Sequence, residues 1–193
     1  METVDRSLYT AALFLHVVGA LLLIATLTLE GIALWQMRRA AMVERVRDSV
    51  AIASLTRQVG PASAVGILLP GLYMTATTWG FIPWIGTSLI AWLVVGVLGA
   101  VNGIRLGSLG RAVAAGGEGF STELATRVKD PLFAASWRLR VAIVLGIVFL
   151  MTGKPGLWES LLVIAAAAAV GLVSSLPAWR AASYRPVTPE RRS

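Results

Sequence analysis

Hydrophobic residues fill five long stretches of this chain, and shorter polar segments separate them. The first stretch runs from Leu8 to Trp35 and is interrupted only by His16, Glu30 and a few hydroxyl groups. A helix rises 1.5 Å per residue, so this stretch is about 42 Å long and can cross a hydrocarbon core of about 30 Å. It predicts a transmembrane helix that holds the only histidine of the protein.

The other four stretches predict four more membrane spans. Together the five make an all-α, polytopic transmembrane helix bundle, a single domain over residues 1–180 with a polar tail at 181–193. The predicted spans are about 8–36, 58–79, 85–106, 131–153 and 157–178. Asp130 followed by Pro131 is typical of a helix start and begins the fourth span.

Apolar residues recur at roughly helical spacing between Arg38 and Arg57, with charged residues among them. This pattern predicts either a short amphipathic helix on the membrane surface or a helical loop that packs on other loops.

The composition supports a membrane protein. Hydrophobic residues make up 56% of the 193 residues and charged residues only 14%, which is more apolar material than a soluble domain of this size buries. The net charge of +7 does not indicate nucleic acid as a partner, because the basic residues lie in short loops between spans. The chain has no cysteine, which excludes thiolate metal sites and iron–sulfur clusters held by its own residues.

The positive charges fall on one side of a five-span bundle. Only Arg6 and Lys154, of the 17 Lys and Arg residues, fall on the other side. By the positive-inside rule the N-terminus is expected outside and the C-terminus in the cytoplasm, which predicts a multi-pass protein of the bacterial inner membrane. The side expected in the cytoplasm carries Arg38, Arg39, Arg45, Arg47, Arg57, Arg105, Arg111, Arg127, Lys129, Arg138, Arg140, Arg180, Arg185, Arg191 and Arg192.

Small residues recur along one face of the third span. Gly99, Gly103 and Gly107 are spaced by four residues, a pattern by which membrane helices approach closely. They predict a helix-packing seam whose partner is another helix of the chain, a second copy in a homodimer or another membrane protein. Asn102 is expected to form a hydrogen bond across this seam.

Charged residues inside the spans need partners. Arg138 and Arg140 interrupt the fourth span, and the apolar part that follows is shorter than the roughly 20 residues of a full span. The two arginines are expected either to snorkel to the interface or to line a polar cavity. Glu30 lies near the level of these arginines, and we expect it to pair with one of them. The alternative is a proton or ion path in a small permease that uses Glu30 and the arginines.

His16 and Met74 are candidates for cofactor binding. His16 lies about 12 Å from the outer end of the first helix, and Met74 lies at a similar depth in the second span, five residues before Trp79. His and Met together are axial ligands of some b-type hemes. The alternatives are a neutral His16 hydrogen-bonded between helices, or a homodimer that supplies His16 twice.

Motifs of soluble enzymes do not occur in the sequence. It has no nucleophile elbow, no His-x-x-x-His metal motif and no paired carboxylates in a span. We therefore expect a non-enzymatic or accessory membrane component.

Three short segments carry a resemblance. They are Leu15–Ala20 (LHVVGA), Gly71–Met74 (GLYM) and Phe149–Gly156 (FLMTGKPG). They resemble a bacterial family of predicted integral membrane proteins of unknown function. The His-x-x-Gly opening is also similar to the copper-resistance D (CopD) membrane family and to membrane protoporphyrinogen oxidase of the HemJ type. In those two families a first-helix histidine is a heme ligand, so the resemblance implies a ligand role for His16.

Overall fold

The computed structural model describes residues 2–115 and 122–183, and all regular structure in these ranges is helical. A π-helical turn over Thr75–Trp79 follows the second helix. Five of the six α-helices, all but the fourth, are long and apolar enough to cross a membrane, which confirms the all-α class and the number of helices able to span. The α-helices are α1 (Glu2–Arg38), α2 (Val43–Met74), α3 (Pro83–Ala115), α4 (Thr122–Val128), α5 (Pro131–Gly153) and α6 (Leu157–Ser183).

Several helices extend beyond the predicted spans into polar sequence. α1 begins at Glu2 rather than near residue 8, and α3 continues past residue 106 to Ala115. Backbone hydrogen bonds within a helix do not need an apolar environment, so a span continues into the interface until a turn stops it. Of the predicted polar tail, 181–183 belong to α6, and 184–193 lie outside the described residues.

Local signals fix both ends of α5. The Asp130 side chain accepts a hydrogen bond of 2.9 Å from the backbone N–H of Leu132, and Pro131 occupies the first helical position. At the other end Lys154 has a left-handed backbone with φ of 46°, and its N–H donates to the Leu150 carbonyl at 2.9 Å. This left-handed cap ends the helix and turns the chain into α6.

The prediction of a separate amphipathic helix on the membrane surface is wrong. α2 runs without a break from Val43 to Met74, so the segment before residue 58 is the first part of the second long helix. Val43, Val46 and Ala53 are buried there in a cluster with residues of α1 and α3. The apolar face of this first part of α2 packs against α1 and α3, because these helices also extend beyond their predicted spans.

The bundle has two ends, which we name by their residues. The basic half holds the end of α1, the start of α2, the end of α3 and the start of α5, and its core includes Met37, Val46, Leu109 and Phe133. The His16 half holds the turns that join α2 to α3 and α5 to α6. The side of the membrane that each half faces stays a prediction from charge.

Helix backbones meet where the sequence places other glycines. A Cβ built on Gly19 of α1 would lie 2.7 Å from the carbonyl carbon of Gly66 in α2. A Cβ built on Gly171 of α6 would lie 2.7 Å from Cα of Leu139 in α5. Only glycine permits such close approach, and these contacts set the α1–α2 and α5–α6 pairs.

The predicted glycine seam of α3 makes no such contact within the described chain. At Gly103 a Cβ would meet no described atom within 4 Å. At Gly99 and Gly107 the nearest atoms belong to the guanidinium groups of Arg140 and Arg57, at 3.3 and 3.1 Å. Two of these glycines therefore leave room for arginine heads, and contact with a second copy through this face stays a prediction.

Candidate functional site

Glu30, Asn102 and Arg140 meet between α1, α3 and α5. Arg140 Nη2 donates a hydrogen bond to Glu30 Oε1, and the same oxygen accepts from Asn102 Nδ2 at 3.1 Å. The side chains of Glu30 and Arg140 are each only 6% exposed. Gly99 leaves space beside the Arg140 head, since a Cβ there would lie 3.3 Å from Nη1. The group is a buried ion pair with an added amide donor.

The pairing expected for Glu30 occurs with Arg140. Of the two alternatives for the arginines, snorkelling to the interface is wrong for Arg140, because its side chain is buried against the opposite charge. Arg138 is half-buried, and its Nη1 donates to the backbone carbonyl of Ser174 in α6. Asn102 does reach another helix, but its partner is the Glu30 carboxylate of α1. Pairing offsets part of the cost of removing both charges from water.

His16 lies between α1 and α2. Its Nδ1 is 2.8 Å from the backbone carbonyl oxygen of Ile67. A carbonyl only accepts, so Nδ1 carries the hydrogen and donates it, and in the neutral ring Nε2 keeps a lone pair. Gly71 makes room for the ring, since a Cβ there would lie 3.2 Å from Nδ1. No hydrogen bond joins Nε2 to any residue in the described ranges.

A partly open cavity of about 340 Å³ adjoins His16 and is lined by residues of α1, α2, α3 and α5. Its volume lies within the range of small-molecule pockets, about 300–1,000 Å³. Met74 lines the same cavity, so both residues predicted as a ligand pair border it, and their role as ligands stays a prediction. The remaining wall is mainly apolar, and it includes Leu13, Leu23, Ile24, Ile67, Leu72, Trp79, Trp84, Trp92, Val144, Ile147 and Met151.

Residues from four separate elements lie together at one end of the cavity. The ammonium group of Lys154 lies 4.2 Å above the centre of the Trp79 ring, a cation–π contact. Trp79 meets Trp84 edge-on with ring centres 6.2 Å apart, and its Nε1 donates to the Tyr9 hydroxyl at 3.4 Å. We call this group, Tyr9, Trp79, Trp84 and Lys154, the cavity mouth.

Two hydrogen-bond donors at the cavity have no partner among the described residues. They are Nε1 of Trp84 and Oγ of Ser88, and both atoms are buried. The residues are one helical turn apart on α3 and both line the cavity. Several other hydroxyls in the spans donate to their own helix, as Ser63 does to Gly60 and Thr75 to Gly71. Away from the cavity, the buried hydroxyl of Ser136 on α5 also has no partner among the described residues. Buried polar groups without partners are rare in proteins, so this pair marks the site.

Sequence reasoning did not identify Trp84, Ser88 or Lys154 as site residues. The spacing of Trp84 and Ser88 places them one turn apart on a helix. A serine in a helix commonly donates to a backbone carbonyl of the preceding turn, so the sequence did not indicate that the Ser88 hydroxyl lacks a partner. Lys154 had a stronger signal, since it is one of two cations expected on its side of the membrane. Trp137 was also missed: its Nε1 donates to the Leu27 carbonyl at 2.7 Å, and its ring packs on Gly31.

The described residues contain no group of three His, Asp or Glu side chains arranged to hold a metal ion. No family model, curated protein or solved structure is found to match this chain.

Proposed function

We propose that this protein is a non-enzymatic component of the bacterial inner membrane that binds a largely apolar small molecule in the His16 half of the bundle. The observation that carries the proposal is the 340 Å³ cavity, with its apolar wall and its few polar groups at Trp84, Ser88 and His16. Such a combination is typical of ligand sites, where the polar groups orient a ligand that the apolar wall holds. With the N-terminus outside, the cavity lies in the outer half of the membrane.

Lipid is the expected source of the ligand. Leu13, Ile24 and Leu72 line the cavity and are also 43%, 44% and 40% exposed on the surface of the chain. A wall that is part cavity and part lipid-facing surface gives an apolar molecule a path from the bilayer.

Tryptophan fluorescence tests the proposal, because Trp79, Trp84 and Trp92 line the cavity. The full-length protein in lipid nanodiscs is titrated with methyl 9,10-dibromostearate, a neutral apolar probe whose bromines quench nearby indoles. We expect a saturable component of quenching. Ala20→Phe fills the cavity and should abolish that component, whereas Ala11→Phe, at an exposed position of α1 outside the cavity, should retain it. Equal quenching in all three proteins would overturn the proposal.

The geometry of His16 favours b-type heme as a second candidate. Histidine ligands of metals commonly donate their other ring N–H to a carbonyl, as His16 does to Ile67. Met74 lines the same cavity, and its thioether would be the second ligand of such a heme. Heme would add electron transfer to the function.

A heme titration separates this candidate from simple apolar binding. A saturable shift of the Soret band that disappears in His16→Ala would support it. Met74→Leu should lower the reduction potential while Met42→Leu, at an exposed position in the basic half, should not. A Soret band that does not change on titration would remove heme from consideration.

A further inference from the structure

We infer that the ligand of this cavity is an amphiphile with an anionic oxygen head group and an acyl tail, an inference that rests on the proposed function. The head group lies at the cavity mouth, against Lys154, Trp84 and Ser88. The tail lies along the apolar wall.

The charge of the head group follows from Lys154. This residue lines the cavity, and its ammonium group is held over the Trp79 ring. Among the described residues no carboxylate lies within ion-pair distance of it; Asp130 and Glu30 pair with Arg105 and Arg140 instead. An ammonium group fixed at the mouth of an apolar cavity attracts an anion, and the hydrogen bonds it makes there are charge-assisted.

The unpartnered donors specify oxygen acceptors. Trp84 Nε1 donates only, and the Ser88 hydroxyl has a hydrogen to give. An ionised carboxylate or phosphate only accepts and offers several lone pairs. One such group therefore satisfies both donors and the Lys154 charge together. Ser88 lies one turn deeper along α3 than Trp84. The head group is therefore bound by Lys154 and Trp84 at the mouth and by Ser88 one helical turn further into the cavity.

The wall specifies the rest of the ligand. Leu23, Val144 and Ile147 line the cavity beyond the mouth and match a hydrocarbon chain. A hydrocarbon without a head group would leave Trp84 and Ser88 without acceptors, and a small inorganic anion would leave the apolar wall unfilled. An amphiphile meets both requirements. Two sources share this chemistry, a free fatty acid with a carboxylate head and an anionic phospholipid with a phosphate head.

The experiment compares charged and neutral probes with the same brominated tail. The full-length protein in zwitterionic nanodiscs is titrated with 9,10-dibromostearate and with its methyl ester, and tryptophan quenching gives both affinities. We expect the acid to bind about tenfold more tightly, the range of a charge-assisted hydrogen bond. Lys154→Gln should remove this difference. Lys129→Gln, which changes the other lysine at an exposed position in the basic half, should preserve it.

A second pair of probes identifies the source of the head group. Nanodiscs with brominated phosphatidylglycerol are compared with nanodiscs of brominated phosphatidylcholine. Quenching that favours phosphatidylglycerol and depends on Lys154 would assign a phospholipid phosphate, whereas preference for the free acid alone would assign a fatty acid. Ser88→Ala should weaken the preferred probe several-fold, with Ser108→Ala, an exposed serine of α3, as the matched control.

The outcomes distinguish this inference from the proposed function. If the acid and the ester bind equally and Lys154→Gln changes neither, the anionic head group is overturned while apolar binding stands. If no brominated probe quenches the protein in a saturable way, both are overturned.

Discussion

The two halves of this bundle bury polar groups in opposite ways. In the basic half the buried Glu30 carboxylate has partners within the chain, Arg140 and Asn102, and the more exposed Arg105 pairs with Asp130 at 3.6 Å. The buried atoms without a partner there are Arg38 Nη1, Arg140 Nε and Ser136 Oγ. In the His16 half, Trp84 Nε1, Ser88 Oγ and His16 Nε2 have no hydrogen-bond partner among the described residues, and all three residues line the cavity.

The difference teaches how to interpret a polar residue in a span. Glu30 and His16 lie on the same helix, and both are polar residues among mainly apolar neighbours. Glu30 has its charge matched by Arg140 within the chain, so its burial is explained by structure. His16 has only one of its two ring nitrogens engaged. The useful distinction is whether other residues of the chain satisfy every hydrogen-bonding atom of the buried group. A buried atom without a hydrogen bond destabilises the protein, and a ligand that supplies the missing hydrogen bond removes that cost.

Removing Arg140 should produce the largest effect. In Arg140→Met the Glu30 carboxylate stays buried beside Asn102 without its counter-charge, and we expect a loss of about 3–5 kcal/mol in the free energy of unfolding. The measurement is reversible unfolding of the purified protein in mixed micelles with increasing denaturing detergent, followed by circular dichroism.

Two variants define this effect. Arg105→Met breaks the exposed ion pair with Asp130, whose side chains are 40% and 32% exposed, and should cost about 0–1 kcal/mol. The double variant Glu30→Met, Arg140→Met removes both charges and should recover much of the loss. If Arg140→Met lowers the free energy of unfolding no more than Arg105→Met does, the buried ion pair does not stabilise the basic half.

Local patterns were enough to predict much of the fold. Span length and apolar content gave the five crossing helices, and Asp130 with Pro131 gave the start of α5. Charge balance within the membrane predicted a partner for Glu30. Each of these inferences uses residues that are near one another in sequence or a constraint that the bilayer imposes on every chain.

Local sequence patterns could not predict which residues on different helices contact each other. Arg138 and Arg140 are two positions apart, about 200° around a helix, so they face nearly opposite sides. Only the packing of α1 against α5 decides which one meets Glu30. The surface-helix error has the same origin, since the apolar face of the first part of α2 fits a membrane surface as well as other helices. The cavity is formed by residues of four helices and two turns, so no single segment of the sequence predicts it.

Gly19→Ala tests the packing that forms one side of the cavity. The new Cβ would lie 2.7 Å from the Gly66 backbone, which must move, so α1 and α2 separate. We expect a loss of about 1–3 kcal/mol in the free energy of unfolding, the usual range for overpacking.

Gly103→Ala is the matched change for this test. It places the same methyl group where no described atom lies within 4 Å, and replacing a helical glycine by alanine should stabilise the monomer by up to about 1 kcal/mol. A loss at Gly103 comparable to that at Gly19 would show that the predicted glycine seam packs on a second copy.

Ser88→Ala should have the smallest effect on stability and is the sharpest test of the comparison. Removing a buried hydroxyl that has no acceptor should change the free energy of unfolding by less than about 0.5 kcal/mol in delipidated protein. Ser63→Ala removes a hydroxyl that donates to the Gly60 carbonyl at 2.7 Å and should cost about 1 kcal/mol. With saturating 9,10-dibromostearate present, the order should reverse, because Ser88 then has an acceptor to lose and Ser63 gains nothing. If the order is the same with and without the acid, the hydroxyl of Ser88 does not serve a ligand, and the two halves differ only in packing.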